Sequence, residues 1–82
     1  MTNNSWFIYI IKCSDNTLYT GITTDLKKRI ATHNNGTGAK YTKHRTPVTL
    51  IYSEPSLDRS SASKREAQIK SLSRQEKLEL IK

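Results

Sequence analysis

A single cysteine, Cys13, leaves the chain without an internal disulfide, and such usage predicts a reducing, cytoplasmic location. Two histidines and one cysteine, well separated, are too few for a structural zinc site. Long apolar runs are missing as well. The longest, Trp6-Phe7-Ile8-Tyr9-Ile10-Ile11, falls far short of the ~18 residues that span a bilayer, which excludes a membrane span. No basic stretch precedes that run, which argues against a secretory signal. Repeats, linkers and low-complexity tracts are absent. The 82 residues allow one small domain, expected over 1–82, with no room for an appended targeting domain. Acidic residues are scarce too: seven Asp and Glu face 14 Lys and Arg, for a net charge of +7.

The positive excess is concentrated rather than spread. Residues 25–48 hold Lys27, Lys28, Arg29, Lys40, Lys43 and Arg45 against Asp25 alone, six basic residues to one acid. A clustered field of this sign attracts polyanions, most commonly nucleic acid phosphates. A plain solubility surface would carry the same charge, so charge alone does not identify an activity.

Residues 6–13 are aromatic and β-branched, which predicts a strand buried along most of its length. Ser14-Asp15-Asn16-Thr17 supplies turn chemistry, and 18–23 resumes a strand pattern, so 6–23 reads as a β-hairpin. Thr24 is placed to cap a helix beginning at Asp25, with Leu26, Ile30 and His33 on one stripe and Asn34-Asn35-Gly36 as its end. Residues 36–46 form a basic loop without periodicity. After Pro47, Val48 to Tyr52 predicts a short strand closed by Glu54-Pro55. A second helix is expected over about 59–71, with several caps between Ser56 and Ser61. Ser73-Arg74-Gln75-Glu76 matches a capping box and starts a third helix that carries Leu78 and Ile81 inward. The order β-β-α-β-α-α describes an α+β domain on a small antiparallel or mixed sheet.

Three features break a purely structural pattern. Glu66 falls between Ala62 and Ile69 on the apolar stripe of the second helix, where an unpaired carboxylate is costly. It needs a cation, a metal or water beside it, and a structural ion pair with Arg29, Arg65 or another base is the plain alternative. Arg29 and His33, four apart, share one side of the first helix. Arg offers a fork for phosphate oxygens and His can hold a proton near neutral pH, although a solvated Arg beside a helix-terminal His is the commoner arrangement. Finally, Tyr19 and Gly21 share a strand face, and Gly21 leaves a gap where a ligand or another segment comes close. Tyr9 joins that face only if 9 opposes 21 and 11 opposes 19, which requires a three- or five-residue hairpin loop. A four-residue loop would put the two tyrosines on opposite faces, and core-packing tyrosines would satisfy the same spacing.

Taken together, these positions resemble the GIY-YIG endonuclease superfamily. Phe7-Ile8-Tyr9 is similar to the first half-motif and Tyr19-Thr20-Gly21 to the second, followed by Arg29 and Glu66 on later helices. The resemblance runs over about residues 6–80. It is nearest to small stand-alone bacterial members carrying LYTGIT, an AKYT loop and the segment Arg65-Glu66-Ala67. It implies a three-stranded, mainly antiparallel sheet flanked by three helices. It further implies a divalent-metal-dependent endonuclease that hydrolyses DNA phosphodiesters. The DNA would be branched, flapped or single-stranded, cut by structure rather than sequence, in repair or recombination.

By the same resemblance, Tyr9 would act as general base for the attacking water and Tyr19 would position water or phosphate. Arg29 would stabilise charge on the scissile phosphate, and His33 would assist the water or a proton relay. Glu66 would hold a single Mg²⁺ or Mn²⁺, with Gly21 structural at the site. Lys27, Lys28, Lys40, Lys43 and Arg45 would neutralise phosphates, while Tyr41 would stack on an exposed base. The chain departs from the family pattern in three places. Phe7 replaces the motif glycine, Ile22 stands where a lysine is frequent, and no Asn follows Asn35, although many members carry one after the Glu. Ser71 and Ser73 stand in that region without reproducing an amide. A non-catalytic nucleic-acid-binding module and an adaptor targeted by a partner protein are the alternative readings.

Overall fold

A strand that is apolar on both faces belongs in the middle of a sheet covered on both sides. The first strand has that place in the computed structural model, which describes residues 5–82; residues 1–4 of the expected domain lie outside the described residues. β1 (Trp6–Lys12) pairs antiparallel with β2 (Leu18–Thr23) on one side and β3 (Thr49–Ser56) on the other, in the order β2-β1-β3. Helices α1 (Leu26–Asn34), α2 (Arg59–Lys70) and α3 (Arg74–Ile81) complete the α+β fold. Ile8 and Ile10 pack with Ala62 and Ile69 of α2 and with Leu80 and Ile81 of α3. Tyr9, Ile11, Cys13 and Val48 pack on the opposite face, with Leu26 and Ile30 of α1 against them. The sheet is therefore a middle layer. Each fully buried Ile contributes about 1.5–3 kcal/mol of transfer free energy, so β1 is the main stabilising element. Among the described residues no helix is long and apolar enough to cross a membrane.

Local chemistry sets the element ends, with some differences from expectation. Asp25 itself is the N-cap of α1, its carboxylate accepting from the Lys28 N–H at 3.0 Å, so the helix starts one residue later than expected. Gly36, at φ +82°, takes the left-handed conformation that ends α1. Asp58 caps α2, and the capping box of Ser73 and Glu76 forms at α3 as read from the sequence. β3 runs to Ser56 and does not stop at Glu54-Pro55. It is an edge strand, where a proline's missing N–H is tolerated. On α3 it is Leu80 and Ile81 that reach the core. Leu78, expected inward, is 40% exposed, because α3 is short and only one side of it meets the sheet.

Candidate active site

Hairpin register decides which residues can meet. The connection between β1 and β2 spans residues 13–17, closed by Cys13 N–H to Thr17 O at 2.9 Å and Asn16 N–H to Cys13 O at 2.9 Å. Asn16 takes the left-handed conformation (φ 68°) that lets the five-residue loop close. In the resulting register Tyr9 opposes Gly21 and Ile11 opposes Tyr19, so both tyrosines lie on the α1 face. The gap at Gly21 is filled by Tyr9 itself. A Cβ built on Gly21 would lie 2.6 Å from Tyr9 Cζ and nearer still to the phenol oxygen.

The Tyr9 oxygen is the hub of the site. Arg29 Nε donates to it at 3.2 Å, and His33 Nε2 lies 2.8 Å away. Arg29 Nη2 donates in turn to the Gly38 carbonyl at 2.9 Å, and His33 Nδ1 lies 2.8 Å from Thr42 Oγ1. Tyr9, His33 and Thr42 are all fully buried. Burial raises the phenol pKa above its usual value, against the opposing pull of the Arg29 guanidinium. The same burial, aided by repulsion from Arg29, lowers the His33 imidazole pKa, so it is neutral at pH 7.

Tyr19 lies beside this hub, its ring edge-on to His33 at 5.4 Å between centroids. Tyr41 stacks on Tyr19 at 5.7 Å, and the Arg45 guanidinium lies 4.3 Å from the Tyr41 centroid. The Lys70 ammonium sits 5.9 Å from the Tyr19 centroid and 3.3 Å from Glu66 Oε2. Lys70 is thus the base beside Glu66. Arg65, a named candidate for that pairing, bonds Glu54 on β3 at 2.9 Å instead, and Arg29 bonds Tyr9 and Gly38. Glu66 is half-buried beside the hub, close enough for its charge to raise the Tyr9 pKa.

The proposed nucleic-acid contacts divide into two groups. Lys27, Lys28, Lys40 and Lys43 are exposed and take part in no ion pair among the described residues. Arg45 is committed to a 2.6 Å ion pair with Asp15 in the hairpin loop, and Tyr41 is already engaged by Tyr19 and Arg45. A depression of about 200 Å³ opens beside Arg29, lined by Thr23, Thr24, Asp25, Lys28 and Thr32.

The GIY-YIG catalytic domain profile matches residues 5–79. The chain belongs to the GIY-YIG family. UPF0213 proteins of Staphylococcus haemolyticus and Staphylococcus saprophyticus are 57% and 59% identical to it over 75 residues, 92% of each chain. The solution structure of a UPF0213 protein of Bacillus halodurans shares 38% identity and superposes with a TM-score of 0.61, covering 95% of this chain and 83% of that one. A solution structure from E. faecalis shares 40% identity at a TM-score of 0.65, covering 96% and 84%. The GIY-YIG catalytic domain supports a nuclease-type function in general, with DNA as the general substrate.

GIY-YIG nucleases generally use divalent metal ions. Among the described residues of this GIY-YIG chain, no three His, Cys, Asp or Glu side chains gather as a ready metal cage. The donor chemistry still fits a hard ion of the Mg²⁺ type, which takes one or two carboxylates and completes its shell with water and substrate phosphate. Glu66 is such a carboxylate, half-buried and, among the described residues, ion-paired with the exposed Lys70. Sequence reasoning missed two members of the hub, Gly38 and Thr42. A Cβ on Gly38 would meet His33 Cα at 2.8 Å, and Thr42 sits under the imidazole. Both lie in a loop without periodicity, and the AKYT segment was the only signal that included Thr42.

Proposed function

We propose that this GIY-YIG protein is a divalent-metal-dependent endonuclease. It hydrolyses DNA phosphodiesters, prefers branched, flapped or single-stranded DNA over particular sequences, and serves repair or recombination. The observation that carries the reading is the meeting of Arg29 and His33 at one phenol oxygen beside a basic helix face. Exposed lysines on α1 and the following loop support structure preference, since contacts to phosphates orient a protein without reading bases.

Arg29 is bonded to two neutral oxygens, and a phosphate is a stronger, charge-assisted acceptor. Substrate phosphate entering the depression beside Arg29 draws the guanidinium from Gly38 and opens a path to Tyr9. Burial of the two groups opposes proton transfer from Tyr9 to His33, and the Arg29 guanidinium at the phenol oxygen offsets it by stabilising the phenolate, so the proton moves to His33 as the phenolate takes one from the attacking water. The water oxygen bonds to phosphorus as the P–O bond to the leaving sugar oxygen breaks, and that oxygen takes a proton from solvent. Arg29 stays to balance charge on the phosphate. Tyr19, partly exposed beside His33, orders the water. A divalent ion held by Glu66 would neutralise phosphate charge and make nearby water more acidic.

Complete burial of Tyr9 favours the second reading, a nucleic-acid-binding module or partner-targeted adaptor without catalysis. One experiment separates them. Wild type, Glu66→Gln and Arg29→Ala are compared on branched, flapped and single-stranded DNA with Mg²⁺ or Mn²⁺. The nuclease reading expects wild-type cleavage and a loss of about 10²-fold or more in both variants. Equal cleavage by all three marks a contaminant and refutes it. Salt-sensitive binding without cleavage upholds the module instead.

A further inference from the structure

We infer that Thr42 is a positioning residue that fixes the His33 tautomer, so that Nε2 is the atom free to take the Tyr9 proton. The inference rests on the nuclease reading for its consequence, but its geometry stands apart from that reading.

Donor counting leads to it. Arg29 has only N–H donors, so its bond to Tyr9 makes the phenol oxygen an acceptor there. The buried phenol still has its own hydrogen to place. Among the described residues its other partner is His33 Nε2, at 2.8 Å. If Nε2 carried a proton, two donors would converge on the phenol oxygen and the phenol hydrogen would be left without an acceptor, a cost of ~1–3 kcal/mol for a buried group. The other end of the ring agrees. Thr42 Oγ1 has the Ala39 carbonyl at 3.2 Å as an acceptor for its hydroxyl hydrogen, and with Nε2 already accepting from Tyr9 the hydroxyl is not needed as a donor to the ring. Its lone pair then faces His33 Nδ1 at 2.8 Å, and Nδ1 carries the proton.

The bonds form one directed chain. Arg29 donates to Tyr9, Tyr9 to His33, His33 to Thr42, and Thr42 to the Ala39 carbonyl. Every buried donor along this chain of bonds is matched. Moving the phenol proton to Nε2 leaves the same partners satisfied, because phenolate accepts from both Arg29 and the protonated imidazole. No side chain has to turn. Among the described residues the Thr42 hydroxyl bonds His33 and the Ala39 carbonyl and not the phenol; fully buried, it acts through His33. Gly38 lets this packing happen, since a Cβ there would fall 2.6 Å from Nδ1 itself.

The test is long-range ¹H–¹⁵N NMR of His33 in the full chain at neutral pH, in wild type, Thr42→Ser and Thr42→Val. Wild type and Thr42→Ser should show a protonated Nδ1 and a bare Nε2. Thr42→Val keeps the shape and removes the acceptor, so Nδ1 should lose its preference and the ring should become a mixture. A bare Nδ1 in the wild type overturns the inference even if Thr42→Val fails to fold. An unchanged tautomer in folded Thr42→Val overturns it too. Cleavage is measured alongside. Thr42→Val should lose at least about tenfold in kcat with KM unchanged, and Thr42→Ser should restore it, as expected when a general base is misprotonated. Wild-type protein with protonated Nδ1 and no cleavage on any DNA refutes the nuclease reading while upholding the hold of Thr42 on His33.

Discussion

Replacing Gly21 by alanine tests the close approach on which the site depends. In an ordinary strand interior the change would help, because alanine is favoured over glycine by roughly 0.5–1 kcal/mol. Here the new Cβ meets Tyr9 Cζ at 2.6 Å and Cε2 at 3.1 Å. Tyr9 is fully buried on the central strand and is pinned by Arg29 and His33, so it has nowhere to swing. Overpacking of this kind costs about 1–3 kcal/mol, which outweighs the propensity gain. The clash lies well inside contact distance, so the upper part of that range applies, and about 2–3 less 0.5–1 leaves a net loss of about 1–2.5 kcal/mol, which lowers Tm by roughly 5–20 °C for a chain of this size. The ring must also retreat by several tenths of an ångström, which stretches the 2.8 Å bond to His33 and the 3.2 Å bond from Arg29. Thermal unfolding followed by circular dichroism reads the first effect, and the His33 imidazole resonances read the second. A Tm equal to or above wild type would refute the packing of Tyr9 against Gly21. Gly36→Ala is the contrast. It strains a positive φ at about 1 kcal/mol and meets only the Lys43 carbonyl at 3.9 Å, so Tm should fall with the His33 signals unmoved.

Two further outcomes are expected. His33 is held below its ordinary value of 6.5, so the unfolded chain takes up this proton first as pH falls. Stability should be full above pH 6.5 and decline below it by up to about 1.4 kcal/mol per pH unit, until the folded imidazole also protonates. Urea midpoints measured between pH 7.5 and 5 should show that slope, and His33→Gln should flatten it. Lys70→Ala removes the cation 3.3 Å from Glu66, a pair worth at most about 1 kcal/mol at its exposure. Mn²⁺ titration should therefore show binding tightened about two- to fivefold, and weaker binding would place the metal elsewhere.

Much of the fold was legible because its signals are local. The β1 run, the α1 stripe and the Ser73–Glu76 capping box each lie within a single strand, helix or helix end, and the structure keeps all three. Glu66 was legible as an anomaly between Ala62 and Ile69, both fully buried, but its partner was not. Arg65 lies next to it in sequence and yet reaches Glu54, because α2 turns that side toward β3. Arg45 looked like a free phosphate ligand in a basic loop, and only the folded loop shows it paired with Asp15.

By itself, then, the sequence determined the order of elements, the family resemblance, and the concentration of positive charge in residues 25–48, since composition, caps and periodicity are properties of chain neighbours. The tertiary structure decided the hairpin register that puts Tyr9 and Tyr19 on one face. It also decided the burial of Tyr9 and the bonds that join Tyr9, Arg29, His33 and Thr42. Those bonds link residues up to 24 positions apart, and their geometry depends on how a five-residue loop closes and how an aperiodic loop packs beneath a ring. No local propensity encodes either one.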